Sequence, residues 1–178
     1  EGVTDEASFI NWLATKSNHG NNDLTNIVVT DFNFVGDRIF CNMTADGTTY
    51  DLASLGLSNA DKIGVVNGLT ELYLSFNHIQ TEIPNLNIPL PSSLTKLHLY
   101  NNQIETFNPT VTLPINLTYL DLGANQMTLA GYTASEVWAN AQPAFTNPCN
   151  VYFYGNIDSI TGTNLEAILI TKNCVITA

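Results

Sequence analysis

Positive charge is what this chain has least of. Among 178 residues there are 5 Lys and Arg against 16 Asp and Glu, a formal net charge of −11. Nucleic-acid binding needs cations to neutralise phosphates, and an anionic membrane surface attracts basic segments, so both partner classes are excluded as expectations. No run of some 18 apolar residues occurs, and no spanning helix is expected. Histidine is scarce, with three residues, His19, His78 and His98. No nucleophile-elbow context accompanies them. His98 and Asp121 fall on adjacent strands and could be an orienting pair for a base, but they read as a polar surface pair. Asp37 and Asp46 lie in turns without calcium-loop spacing. Neither an active site, a metal site nor a cofactor is expected. Three cysteines, Cys41, Cys149 and Cys174, do not fix a redox compartment.

What the chain does have is a repeat. Leu69-Thr-Glu-Leu72-Tyr-Leu74-Ser-Phe-Asn77-His-Ile79, Leu94-Thr-Lys-Leu97-His-Leu99-Tyr-Asn-Asn102-Gln-Ile104 and Leu117-Thr-Tyr-Leu120-Asp-Leu122-Gly-Ala-Asn125-Gln-Met127 share one pattern, with Leu at three places, Ile or Met at a fourth and Asn at a fixed offset. The steps are 25 residues (Leu69 to Leu94) and 23 (Leu94 to Leu117). Both lie in the roughly 20–29-residue range of leucine-rich repeats, which the pattern resembles. The resemblance implies an α/β leucine-rich-repeat solenoid: a parallel β-sheet on the concave face, an irregular or short-helix convex side, and an N-terminal helix and hairpin as cap.

The letters have a physical reason. Strand side chains alternate, so L-x-L places two leucines inward and the residue between them outward. Stacked strands then merge the leucines into apolar columns that no single repeat could bury. Asn77, Asn102 and Asn125 stand where the chain turns out of the strand, and with Asn156 they are expected to form a structural ladder bonding the backbone at the bend.

Residues 1–62 are expected to form the N-terminal cap and residues 63–178 the solenoid. In the first part, residues 4–17 read as an amphipathic helix capped by Thr4 or Asp5, with Phe9, Ile10, Trp12 and Leu13 on its apolar side. The 18–23 stretch reads as a loop. Period-two stretches follow around Ile27-Val-Val29, Phe32/Phe34, Ile39-Phe-Cys41 and Tyr50/Leu52, with Gly36-Asp37 and Asp46-Gly47 as hairpin turns. Leu24, Ile27 and Val29 also fit a degenerate first repeat, with Phe32 at the Asn place. Cys41 is expected to be a buried thiol.

Between the repeats run Ile83-Pro-Asn-Leu-Asn-Ile-Pro-Leu-Pro91 and Phe107-Asn-Pro-Thr-Val-Thr-Leu-Pro114, too proline-rich for helix or central strand. Leu90-Pro-Ser-Ser-Leu94 and Leu113-Pro-Ile-Asn-Leu117 resemble the lead-in of bacterial-type leucine-rich repeats. After Met127 the step lengthens to 31 (Leu122 to Phe153), and Thr133–Asn140 supplies a helix. Thr163-Asn-Leu-Glu166 is a capping box opening a second helix to about Lys172, followed by a strand at Cys174-Val-Ile176. Phe153 to Ile176 is read as a step of 23, which sets Cys174 opposite Val151. Cys149 is then diagonal to Cys174, and a bridge between them stays open. Asn42 and Asn116 head glycosylation-type triplets, relevant only in a secreted eukaryotic protein.

In that register the outward rows are Glu71, Lys96, Tyr119, Asn150 and Asn173; Tyr73, His98, Asp121, Tyr152 and Val175; and Ser75, Tyr100, Gly123, Tyr154 and Thr177. Tyr73, Lys96, His98, Tyr100, Tyr119, Asp121, Tyr152 and Tyr154 are the candidate binding residues, because tyrosine offers area and a hydroxyl at low entropic cost. Tyrosines also suit strands and pack on one another across rungs.

The texture of Asn101-Asn-Gln-Ile104, Phe107-Asn-Pro109, Asn125-Gln-Met-Thr128, Gly131-Tyr132, Ser135-Glu136, Trp138-Ala-Asn140 and Gly162-Thr-Asn-Leu-Glu166 resembles leucine-rich-repeat segments of bacteriophage tail-fibre-like and bacterial surface proteins, over roughly residues 65–178. That resemblance implies a non-catalytic recognition module, extracellular on a virion or cell surface. Its partner would be a protein or glycan of a host or neighbouring cell. The alternative is a structural domain self-assembling with neighbouring subunits. Glu1, in place of an initiator Met, fits a processed chain or a segment of a longer one.

Overall fold

The computed structural model describes residues 4–15, 25–35, 38–54, 68–80, 90–107 and 109–178, with only the backbone course given for 13–15, 34–35 and 38–45. The 18–23 loop, the Gly36-Asp37 turn, the run from Ile83 to Pro89 and the Cys41 thiol lie outside what is described.

Helix α1 (Glu6–Thr15) starts with a reciprocal cap. The Asp5 carboxylate accepts from the Ser8 N–H at 2.8 Å, and the Ser8 hydroxyl oxygen accepts from the Asp5 N–H at 3.0 Å. These hydrogen bonds hold the Asp5 carboxyl below its usual pKa. The Phe9 ring meets Phe32 on β1 (Thr25–Val35) at 5.7 Å.

Strand β1 pairs antiparallel with β2 (Arg38–Asp46), with register shifts between Thr25 and Val28 and between Thr30 and Asn33. The segment around Ile27 and Val29 is therefore a hairpin arm and not a first repeat, which corrects the degenerate-repeat expectation. The rung before Leu69 is instead β3 (Thr49–Asp51). The Asp46-Gly47 expectation is corrected with it: these residues turn the chain from β2 into β3, which pairs with β4 and not back on β2. Gly47, at φ 124°, supplies a conformation closed to other residues.

The main sheet has six parallel strands in chain order: β3, β4 (Glu71–Tyr73), β5 (Lys96–His98), β6 (Tyr119–Asp121), β7 (Cys149–Tyr152) and β8 (Cys174–Thr177). Tyr50, Leu72, Leu97, Leu120 and Val151 are in register and buried, and Leu52, Leu74, Leu99, Leu122 and Phe153 form a second buried row. Each rung leaves its strand through one left-handed residue, Ser54, Phe76, Asn101, Ala124 or Gly155.

The next residue in the three central repeats is the buried Asn. Asn102 donates to the carbonyls of Leu74 (3.0 Å) and Leu99 (3.1 Å) and accepts from the Ile79 N–H (3.1 Å). Asn125 does the same with Leu99, Leu122 and Ile104. Asn156 serves Leu122, Phe153 and Met127, and Asn77 donates to Leu52 and Leu74. One amide thus joins two rungs, satisfying groups that the bend would bury unpaired.

The long step between β6 and β7 holds two short helices, α2 (Leu129–Ala134) and α3 (Glu136–Ala141). They serve the proline-containing return run before β6. The Ser135 hydroxyl accepts from the Phe107 N–H, Trp138 Nε1 donates to the Val111 carbonyl, and Gln142 bonds both Val111 and Leu113. Trp138 also stacks on Phe107 at 4.1 Å. A repeat with a non-helical return has no ladder for its own backbone, and these buried side chains replace it. Helix α4 (Asn164–Thr171) is capped by Thr163, whose hydroxyl accepts from the Glu166 N–H, while the Glu166 carboxylate reaches back to the Gly162 N–H.

The last rung corrects the sequence reading. Cys149 pairs with Cys174, Asn150 with Val175 and Tyr152 with Thr177, a step of 25 where 23 was expected. Asn173, placed on the open face by sequence, is a left-handed turn residue (φ 69°) whose amide donates to the Phe145 carbonyl. A shift of two keeps every side chain on its face, so alternation could not tell the registers apart.

Candidate functional site

One face of the sheet carries the buried leucines. The other carries three rows in register. The first is Thr49, Glu71, Lys96, Tyr119, Asn150 and Val175, and the second is Asp51, Tyr73, His98, Asp121, Tyr152 and Thr177. The third follows the strands as Ala53, Ser75, Tyr100, Gly123 and Tyr154. All eight candidate binding residues stand on this open face. The first rung adds Thr49, Asp51 and Ala53, which the sequence reading had assigned to the cap.

The rings form two sets, joined where Tyr152 meets Tyr154 edge-on at 6.2 Å. Tyr73 stacks on His98 (4.2 Å, 12°), His98 on Tyr119 (4.6 Å, 32°) and Tyr119 on Tyr152 (5.0 Å, 39°). This ladder crosses four rungs, and its ring faces are spent on one another. The second set lies at the strand exits. Phe76 meets Tyr100 edge-on at 5.4 Å, and Tyr100 meets Tyr154 at 5.8 Å. Phe76 is 52% exposed and Tyr154 41%.

Phe76 was not singled out from sequence. Lined up with Asn101, Ala124 and Gly155 at the left-handed place (φ 58°), a Phe is the residue least suited to that backbone. That mismatch was the available signal.

Polar groups fill the space between the rings. Tyr73 Oη donates to Glu71 Oε2 at 2.7 Å, and Glu71 Oε1 takes the Lys96 ammonium at 2.7 Å. Tyr119 Oη donates to Asp121 Oδ2 at 3.2 Å, and Asp121 Oδ1 accepts from the Gly123 N–H at 3.0 Å. The Lys96 hydrogen bond holds the Glu71 carboxyl below its usual value. Burial and the bond to Glu71 push the Tyr73 phenol up to about 12, and burial with Asp121 raises that of Tyr119.

The imidazole of His98 sits between two tyrosine rings, and its Nε2 is buried without a hydrogen-bond partner. Burial lowers its pKa more than Asp121, Glu71 and Asp51 raise it, leaving it below the ordinary histidine value. The Asp121 oxygens bond Tyr119 and Gly123, and no hydrogen bond joins them to His98. Among the described residues there is no cluster of three His, Cys, Asp or Glu able to hold a metal ion.

Residues 67–111 match a family model described as leucine rich repeats (2 copies). No curated protein and no solved structure matches the chain. The third sequence repeat, Leu117 to Met127, lies beyond the matched stretch but continues the same sheet, register and Asn bonding. Residues 67–111 are leucine-rich repeats, and the parallel sheet built on them is of the α/β leucine-rich-repeat type.

Proposed function

We propose that this is a non-catalytic binding module whose concave face, lined by Tyr73, Lys96, His98, Tyr100, Tyr119, Asp121, Tyr152 and Tyr154, grips a protein partner. Leucine-rich repeats generally mediate protein binding, and stacked repeats offer an extended surface suited to it. The observation that carries the reading is the open aromatic strip Phe76–Tyr100–Tyr154 beside the tyrosine ladder. Large rings left in water at a sheet face are the anchors that interfaces favour.

The tail-fibre-like texture of roughly residues 65–178 supports a finer reading: a host- or partner-recognition domain of a phage virion or bacterial surface protein, working outside the cell. A labelled sample titrated onto a panel of intact bacterial cells tests it, beside a variant carrying Tyr73→Ala, Tyr100→Ala and Tyr154→Ala that keeps the native circular dichroism. Saturable binding lost in the variant is the expected result. Equal binding by both would move the site off this face.

The assembly reading draws on strand β8, the last in the sheet among the described residues, where Val175 is 51% exposed. A strand edge of that kind accepts another strand. A dimer or higher oligomer in solution, abolished by Val175→Lys, would favour it.

A further inference from the structure

The open face has a one-sided chemistry. Two of its phenol protons are committed, Tyr73 to Glu71 and Tyr119 to Asp121, so toward a ligand these two oxygens can only accept. Asp51 and Asp121 are 3% and 6% exposed, and each is fixed by a backbone N–H, that of Ala53 for Asp51 and of Gly123 for Asp121. Charges held that far from water are weakly screened and project their field through the rings above them. The cation of this face, Lys96, is already ion-paired with Glu71. Around this core the whole chain carries 16 acids and 5 bases.

The rings differ in what they can still do. The ladder from Tyr73 to Tyr152 has its faces closed by stacking, whereas Phe76 is edge-on to Tyr100 and half in water. Phe76 is also held at φ 58°, a place where the equivalent residue one rung from the end of the sheet is Gly155. A bulky residue there costs backbone energy while about half of its surface stays in water.

We propose that this face recognises an arginine-bearing peptide segment, with guanidinium groups laid on Phe76, Tyr100 and Tyr154 and their N–H donors turned to the Tyr73 and Tyr119 phenol oxygens, in the field of the buried carboxylates. This rests on the reading that the face binds a protein, and names its chemistry. Guanidinium is planar, stacks on aromatic rings and carries five donors and no acceptor, which matches a surface of rings and acceptors. An ammonium supplies the charge without the plane, and an acidic segment meets repulsion.

Nona-arginine, nona-lysine and the neutral oligosaccharide maltohexaose are titrated by calorimetry into the whole protein at 25 and 300 mM salt. The comparison is a charge-neutral variant with Phe76→Gly, Tyr100→Ser and Tyr154→Ala. Tyr100→Ser copies Ser75 from the neighbouring rung, and Phe76→Gly relieves a left-handed residue. The single Phe76→Gly change is the fallback should the triple variant not fold. At 300 mM salt nona-arginine is expected to bind the native protein at least about fivefold tighter than nona-lysine, and the variant to lose about tenfold and the preference with it.

Equal affinity in native and variant protein would reduce the attraction to general charge and overturn the proposal. So would the absence of nona-arginine binding, or maltohexaose binding that the variant loses. Cell binding that needs Tyr73, Tyr100 and Tyr154 alongside a failed peptide contrast would sink this inference alone and leave the recognition reading standing.

Discussion

The Tyr154 ring lies over Gly123, a residue of the neighbouring rung. A Cβ placed on Gly123 would stand 3.0 Å from Tyr154 Cζ and 3.0 Å from its carbonyl oxygen. The absence of a side chain there lets Tyr154 reach across to Tyr100, which stands on the far side of Gly123, two rungs from Tyr154. Gly123 has an ordinary backbone conformation, so Gly123→Ala should act through this contact alone. We expect it to displace the Tyr154 ring, change the near-ultraviolet circular dichroism of the coupled tyrosines and cost about 1 kcal/mol in urea unfolding. An unchanged tyrosine signal would mean that the ring does not depend on the gap.

Removing one rung of the asparagine ladder should cost more. Asn102→Ala removes one of two amide donors from each of the Leu74 and Leu99 carbonyls, which keep Asn77 and Asn125, and orphans the Ile79 N–H. The orphaned N–H costs about 1–3 kcal/mol, so a loss of about 2 kcal/mol in urea unfolding is expected. Asn102→Asp restores the acceptor but not the donors, and should not rescue stability.

His98 should make the fold acid-sensitive near neutrality. Its folded-state pKa is lowered, first by burial, so the unfolded chain takes up this proton more readily. The stability it contributes is complete above the ordinary histidine pKa and is lost as pH falls through the lowered value. Unfolding free energy should therefore drop as pH falls below the ordinary histidine value of about 6.5. His98→Phe keeps a ring between Tyr73 and Tyr119, removes the unpartnered Nε2, and should flatten that part of the profile. An imidazole titrating at or above the ordinary value in a proton NMR titration would refute the account.

Cys149 and Cys174 face each other across β7 and β8, both buried and both free thiols. Burial pushes each pKa up to about 12. Such a thiol is only about one ten-thousandth thiolate at pH 8, and the thiolate is the reactive form. In a Cys41→Ser background, Ellman's reagent at pH 8 should titrate neither until urea unfolds the protein. Prompt reaction of either in the folded state would count against the burial.

The repeat letters were enough for the strands at Leu72, Leu97 and Leu120 and for the asparagines behind them, because a period-two stripe and a fixed turn residue are local consequences of the backbone. The capping box at Thr163 was legible for the same reason. The eight open-face residues followed from counting outward from those leucines. Phe76 was not seen, since its significance lies in a left-handed φ at its place in the rung rather than in its own letter.

What remained was settled between segments. Val29 and Tyr50 both alternate like strands, yet one went to an antiparallel hairpin and the other to the parallel sheet, a choice made by which partner can complete the backbone hydrogen bonds. The last rung paired Cys149 with Cys174 rather than setting Val151 against it, because registers two residues apart preserve the same inward face and only packing against α4 separates them. Sequence determined which side chains turn inward and where the chain bends. Tertiary structure decided which rungs are neighbours, which rings close on each other, and which are left open to a partner.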